Sequence, residues 1–142
     1  MESKILTVAV FILMFVWKPL DSSAQVTMSF CTCHNDELTY TGCANTFDAS
    51  VCKGHLNVIL LAVPGKTLDT YNVLYIIYKD TILVGTIYQH DLQPDWKYYA
   101  RTIDFFQPGK YRVEVYDLDN YLYLQNNLGR LMGSGSVTIN NE

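Results

Sequence analysis

The sequence predicts an all-β protein, built as an antiparallel β-sandwich after a short N-terminal cap. Apolar segments alternate with period two, turn-forming pairs separate them, and β-branched and aromatic residues favour strands over helices. The predicted strands are 56–63, 71–78, 81–88, 96–105, 110–117 and 136–139. The breaks fall at Pro64-Gly65, Lys79-Asp80, Gln93-Pro94 and Pro108-Gly109. Short strands at even spacing with tight turns are typical of an antiparallel sandwich.

Residues 1–24 have the pattern of a secretory signal peptide. Lys4 precedes the apolar run 5–17, and Ser22-Ser23-Ala24 supplies small residues for cleavage after Ala24. The run is shorter than the roughly 20 residues that span a bilayer. We therefore predict a secreted, extracellular protein whose mature part is a single domain.

Residues 25–54 contain all four cysteines and are interpreted as a disulfide-tied cap with at most a short strand. The cysteines are Cys31, Cys33, Cys43 and Cys52. The secretory route and the even count predict two intramolecular disulfides. A bridge from Cys31 to Cys33 is disfavoured, because alternate residues of an extended chain lie near or beyond the usual Cα separation. A zinc site with His34 as an extra ligand is the alternative, although the spacing lacks the usual short-gap cysteine pairs.

The segment 110–129 carries the main candidate site. Its strand ends in Asp117, and Asp119 follows two positions later, so both carboxylates can point to one side, as an oxygen-liganded cation such as calcium requires. The apolar tip that follows consists of Tyr121, Leu122, Tyr123 and Leu124, flanked by turn formers. The alternatives are an ordinary surface turn for the aspartates and a buried strand for the tip.

Further motifs make residues 55–142 resemble a C2 domain, a calcium- and lipid-binding β-sandwich. Thr86 and Leu92-Gln-Pro-Asp-Trp96 are similar to the family's threonine followed by leucine-x-proline-x-tryptophan. The segment 113–119, followed by Leu128-Gly129, is similar to its strand, Asp-x-Asp loop and closing hydrophobic-glycine pair. Asp69-Thr-Tyr71 resembles the aspartate-x-tyrosine that closes its first calcium loop.

The C2 resemblance implies a calcium-dependent, non-catalytic module that binds phospholipid membranes. It implies Asp69, Asp117, Asp119 and Asn126 as the calcium ligands, and the tip Tyr121 to Leu124 as the part that enters the membrane interface. Tyrosines suit that interface because the ring and the hydroxyl prefer different sides of it. The cysteine-rich stretch ahead of the domain resembles the C-terminal part of perforins, without their membrane-attack segment, which implies a defence-related role.

An immunoglobulin-like sandwich is the alternative fold. Tyr111, two residues after Gly109 at the start of a strand, resembles the tyrosine corner of that fold. The alternative function is an extracellular adhesion or ligand-binding protein whose apolar tip contacts a protein partner. We expect Tyr111 and Trp96 to fill the sandwich core in either fold, so that Trp96→Ala would cost about 3–5 kcal/mol.

Charge and motif content argue against other classes of protein. The net charge of −4 argues against nucleic-acid binding, which uses basic patches. The three histidines show no helical metal spacing, and the chain lacks a Gly-x-Ser-x-Gly segment. We therefore expect no catalytic activity.

Overall fold

The computed structural model describes residues 25–32, 42–119 and 129–141. Within these ranges the chain forms β-strands and a single 3-10 turn, which confirms the predicted all-β sandwich. The elements are β1 (Val26–Cys31), β2 (Thr46–Asp48), the 3-10 turn (Val51–Gly54), β3 (His55–Ala62), β4 (Val73–Lys79), β5 (Ile82–Gln89), β6 (Tyr98–Asp104), β7 (Gly109–Asp117) and β8 (Arg130–Asn140). Among these residues no helix has the length and apolar character needed to cross a bilayer.

The strands form two sheets whose order matches the immunoglobulin-like alternative. One sheet has the order β1-β3-β6 and the other β2-β8-β7-β4-β5. If β1, β3 and β6 are equated with strands A, B and E, then β4, β7 and β8 take the positions of C, F and G, and β5 is the extra strand beside C. All pairs are antiparallel except β2 with β8, which is parallel.

The core lies between the sheets and follows the period-two pattern. In β7, Tyr111, Val113 and Val115 are buried, while Lys110 and Arg112 face solvent. Aromatic rings join the sheets at one point, where Phe105 lies 6.1 Å from Phe30 and 5.0 Å from Tyr111 between ring centroids. The Tyr111 hydroxyl donates to the Gln107 carbonyl oxygen at 2.7 Å, as a tyrosine corner requires. The prediction of a core Tyr111 is therefore confirmed.

The predicted cap contributes strands to both sheets. β1 pairs with β3 along its whole length and packs against β8 in the other sheet. The Gln25 N–H also donates to the Met132 carbonyl oxygen at 2.8 Å, which ties the first described residue to the last strand. β8 itself begins at Arg130 and not at 136 as predicted. Strands β1 and β2 of the predicted cap thus complete the sandwich.

Disulfide formation is confirmed for the described cysteines. Cys31 is bonded to Cys43, and Cys52 also forms a disulfide. Cys33 lies outside the described residues, and none of the described cysteines is free. The predicted secretory signal at 1–24 also lies outside them.

The sandwich has two ends of different character. The connections β3–β4 (63–72) and β5–β6 (90–97) lie at one end, which we call the loop end, together with the described parts of the β7–β8 connection, 118–119 and 129. β1 begins there, with Val26 beside Ala62, and runs away to Cys31 beside Asn57. The Cys31–Cys43 disulfide therefore marks the opposite end.

Trp96 does not lie in the core, so the prediction for this residue is wrong. It precedes β6 on the loop end, keeps 40% of its surface exposed, and stacks on Tyr99 with 6.1 Å between ring centroids and 6° between ring planes. The residues that fill the core nearby are Leu68 and Leu92, which are 0% and 1% exposed. The leucine of the Leu-x-Pro-x-Trp motif, and not its tryptophan, is the buried anchor.

Trp96→Ala is therefore expected to lower the free energy of unfolding by only about 1 kcal/mol, because the lost contacts are on one side of an exposed ring. Phe105→Ala is the matched control, since Phe105 is 1% exposed and its loss should cost about 3–5 kcal/mol. Urea denaturation of both variants compares the two costs. Equal losses of unfolding free energy in the two variants would show that Trp96 is packed as tightly as a core residue.

Candidate functional site at the loop end

Backbone hydrogen bonds hold the three loops of the loop end together. The β3–β4 loop lies between the other two and bonds to both. The bonds are Leu68 N–H to Trp96 O at 2.8 Å, Asp69 N–H to Pro94 O at 2.9 Å, and Leu118 N–H to Asn72 O at 3.0 Å. The convergence that a site built from several loops needs is thus present in the described part of the chain.

Asp117 is buried at the centre of this end and binds protein donors. It is 2% exposed, and its Oδ1 accepts from the Thr70 hydroxyl at 2.7 Å and from the Asp119 N–H at 2.9 Å. Thr70, at 1% exposure, also lies 3.1 Å from Asp119 Oδ2. A hydroxyl has one proton to donate, so Thr70 serves one carboxylate at a time. The Asp117 carboxylate thus links the end of β7 to the β3–β4 loop by a hydrogen bond.

Asp119 is held by the same loop. Its carboxylate accepts from the Tyr71 N–H and, at 2.7 Å, from the Asn72 side-chain amide. Partial burial by itself would raise the pKa of Asp119, but the hydrogen bonds from Tyr71, Asn72 and Thr70 outweigh it and lower the pKa. The ionised form is therefore the one that the loop recognises.

The predicted calcium ligands are only partly brought together. Asp117 and Asp119 are adjacent, but Asp69 is exposed, and the described residues contain no group of three acidic, histidine or cysteine side chains that could hold a metal. Asn126 and the tip 121–124 lie outside the described residues. Protein donors bind three of the four oxygens of Asp117 and Asp119, so a calcium ion, which wants six to eight oxygens, would need ligands beyond this pair. Calcium binding stays a prediction.

The donors that these aspartates bind are not among the residues predicted from the sequence. A short polar segment, Thr70-Tyr71-Asn72, lies between Asp69 and the apolar strand β4. Threonine and asparagine are residue types that often form local side-chain hydrogen bonds in loops. That segment was a usable signal. The sequence alone does not show that this segment donates hydrogen bonds to aspartates 47 to 49 positions further along the chain.

The loop end also carries a group of exposed apolar side chains, which we call the apolar rim. Of ten exposed large hydrophobic residues in the described ranges, six lie at this end. They are Leu61, Tyr71, Tyr88, Trp96, Tyr98 and Leu131. Tyr71 and Tyr88 are both 55% exposed, so about half of each residue is open to solvent. The predicted tip Tyr121 to Leu124 begins four positions after the end of β7 in the sequence and lies outside the described residues.

Comparison with known proteins adds little. No family model matches the chain, and no curated protein matches it. Among solved structures, it is similar to a superoxide reductase (neelaredoxin) from Ignicoccus hospitalis at 13% identity, covering 70% of this chain and 76% of that one, with a TM-score of 0.39. A point variant of the same reductase gives 12% identity, 88% and 87% coverage, and a TM-score of 0.44. Likeness at this level carries no argument about function.

Proposed function

We propose that this protein is a secreted, non-catalytic module that docks on phospholipid membranes through its loop end. The observation that supports this most directly is the apolar rim, which places Tyr71, Trp96 and Tyr98 at one end of the sandwich. Tyrosine and tryptophan prefer the boundary between acyl chains and water, because one part of each ring system is apolar and another is polar.

The charge of the chain indicates how docking is driven. With a net charge of −4 the protein gains nothing from the negative potential of anionic lipids unless a cation intervenes. Apolar burial is then the driving term, at about 25 cal/mol per Å² of surface removed from water. Docking is therefore expected on zwitterionic phosphatidylcholine. Calcium is expected to add binding on anionic lipid, where it would join the loop-end carboxylates to lipid phosphate.

Co-flotation with liposomes tests the proposal. We expect the protein to float with phosphatidylcholine vesicles, and with phosphatidylserine-containing vesicles more in calcium than in chelator. Changing Leu61, Tyr71 and Tyr98 together to serine should weaken binding by at least about tenfold, because the apolar side chains that enter the interface are lost.

The matched control changes three exposed apolar residues away from the loop end, namely Ile82, Leu83 and Phe106, to serine. This variant removes similar apolar surface, so it should float like the wild type if docking uses the loop end. Equal loss in both variants would show unspecific adsorption. If binding is the same with calcium and with chelator on both kinds of lipid, calcium has no part in docking. The proposed docking surface would not be contradicted by that result.

An extracellular ligand- or partner-binding protein is the second candidate function. It is favoured by the immunoglobulin-like strand order and by the tyrosine corner at Tyr111. The apolar edge strand β5 points the same way, since Ile82, Leu83 and Val84 are 68%, 57% and 52% exposed there. Absence of flotation with every lipid would leave this as the better function.

A further inference from the structure

The outer face of the five-stranded sheet, which is turned away from the core, carries a row of apolar side chains beside the loop end. The row crosses four adjacent strands, because Leu74 pairs with Tyr88 on one side and with Tyr116 on the other, and Tyr116 pairs with Leu131. Their neighbours along β4, β7 and β8 belong to the core, so these side chains point to the other side. Tyr88 and Leu131 are 55% and 42% exposed. A sheet face that meets only water normally carries polar residues, so this row indicates a surface for a partner.

Two further rows extend this surface away from the loop end. In the second row Ile76 lies beside Thr86, and in the third Tyr78 lies beside Leu83. Leu83 is 57% exposed, whereas Ile76 is only 5% exposed although it does not belong to the core between the sheets. Neighbouring side chains on the outer face therefore already cover Ile76, and the face is closely packed. We call the three rows, which run across β5, β4, β7 and β8, the outer patch.

The outer patch contains one pair of opposite charges, both on β7. Arg112 lies beside Tyr78 in the third row, and Glu114 lies beside Ile76 in the second. The two side chains are 56% and 16% exposed, and their nearest charged atoms are 3.9 Å apart, which is too long for a hydrogen bond. The Arg112 guanidinium also lies 4.7 Å from the centre of the Tyr78 ring. The two charges cancel, so the patch has no share in the net charge of −4, and each charged group can take a second partner.

We propose that the outer patch binds the outer patch of a second copy of this chain, in a reversible homodimer. A two-fold axis that crosses the strands midway between Arg112 and Glu114 puts Arg112 of each copy opposite Glu114 of the other. The same axis puts Ile76 of one copy opposite Tyr78 of the other. An unlike partner would have to supply a matching charge pattern, whereas a second copy already has it. Tyrosine and arginine are also residue types that protein interfaces favour.

The size of the patch sets the strength of the dimer. Four strands about 4.8 Å apart and five residues at about 3.3 Å each cover roughly 300 Å² in projection. Stable interfaces bury about 800 Å² on each partner, so we expect a weak dimer with a Kd of about 10 μM to 1 mM. Because the axis crosses the strands, the two loop ends point in opposite directions, and the dimer leaves the docking residues Leu61, Tyr71 and Tyr98 uncovered. The inference therefore does not depend on the proposed membrane docking.

Sedimentation equilibrium of the purified protein at about 1 μM to 1 mM tests this. We expect the average mass to rise from monomer towards dimer with concentration, and equally in calcium and in chelator. Arg112→Glu puts like charges opposite each other in the dimer, so it should weaken association by at least about tenfold. Adding Glu114→Arg to that variant restores the opposite charges, so the double variant should associate within about threefold of the wild type.

Leu83→Asp is a second test that leaves the charged pair intact. Leu83 is 57% exposed, so the monomer should tolerate the change, but the dimer would bury the new carboxylate and should form at least about tenfold more weakly. Phe106→Asp is the matched control, because Phe106 is 62% exposed and lies between β6 and β7, outside the patch; it should associate like the wild type. Melting curves show whether each variant is folded, and the Leu83 and Phe106 variants decide if the charge variants are not.

Three results would overturn the proposal. The first is the mass of a monomer at every concentration, which would leave an unlike partner for the outer patch. The second is equal association of the Leu83→Asp and Phe106→Asp variants. The third is a folded double variant that associates no more tightly than Arg112→Glu alone.

Discussion

Gly129→Ala is expected to lower the free energy of unfolding by about 3 kcal/mol or more. Gly129 has φ +76°, a conformation that alanine adopts only with strain. A Cβ at this position would also overlap the backbone carbonyl oxygen of Asp117, which has no freedom to move because it ends β7. The loss of stability is measured by urea denaturation at 25 °C.

Gly65→Ala is the control that separates the two causes. Gly65 has nearly the same φ, +81°, but a Cβ there would meet no atom within 4 Å. Its cost should be the backbone strain alone, about 1 kcal/mol. The difference between the variants is then the cost of overlap with Asp117. Equal costs would show that the β7–β8 loop yields to the added methyl.

Asp117→Ala is expected to destabilise the protein by about 2–4 kcal/mol, with or without calcium. The change removes the acceptor of the Asp119 N–H and the shortest of the hydrogen bonds of the Thr70 hydroxyl, a group that is itself 1% exposed. Thermal unfolding is measured in chelator, where no calcium ligand can contribute. Asp69→Asn is the matched control, since Asp69 is exposed and asparagine tolerates its φ of 54°, so the stability should change by less than about 0.5 kcal/mol.

The pair of aspartate variants separates two roles for these residues. If Asp117 has a structural role, as its burial indicates, the Asp117 variant is less stable than the wild type in chelator, while the Asp69 variant is not. If both variants melt like the wild type in chelator and both lose a calcium-induced rise in melting temperature, the carboxylates are metal ligands first. The same experiment therefore tests the predicted ligand set directly.

Local pattern was enough to predict most of the sandwich. β3, β4, β5, β6 and β7 each agree with a predicted strand to within a few residues, because alternation and turn pairs are properties of neighbouring residues. β1 also alternates, with Val26 and Phe30 buried, but its small polar residues and cysteine concealed this. The first half of β8 contains Gly133 and Gly135, which strand propensity disfavours.

The site was less predictable because its partners are distant in the sequence. Asp117 and Asp119 were found as a pair, yet the Asp-x-Asp pattern suits a metal cage and a capped loop equally well. The choice between them depends on Thr70, Tyr71 and Asn72, which reach the aspartates only through the fold. The predicted burial of Trp96 was wrong for a related reason. The sequence does not show which residues, if any, pack over an aromatic side chain beside a strand.

The contact between β1 and β8 sets the order in which this chain can fold. Gln25 must reach Met132, 107 positions later, to make its backbone hydrogen bond. At about 5–20 residues per second, the ribosome makes β8 about 5–20 s after β1, longer than a sandwich domain usually needs to fold. We therefore expect Met28 and Phe30, which lie against Gly135 of β8, to stay partly exposed until β8 has been made, and chaperones to bind the nascent chain during that interval.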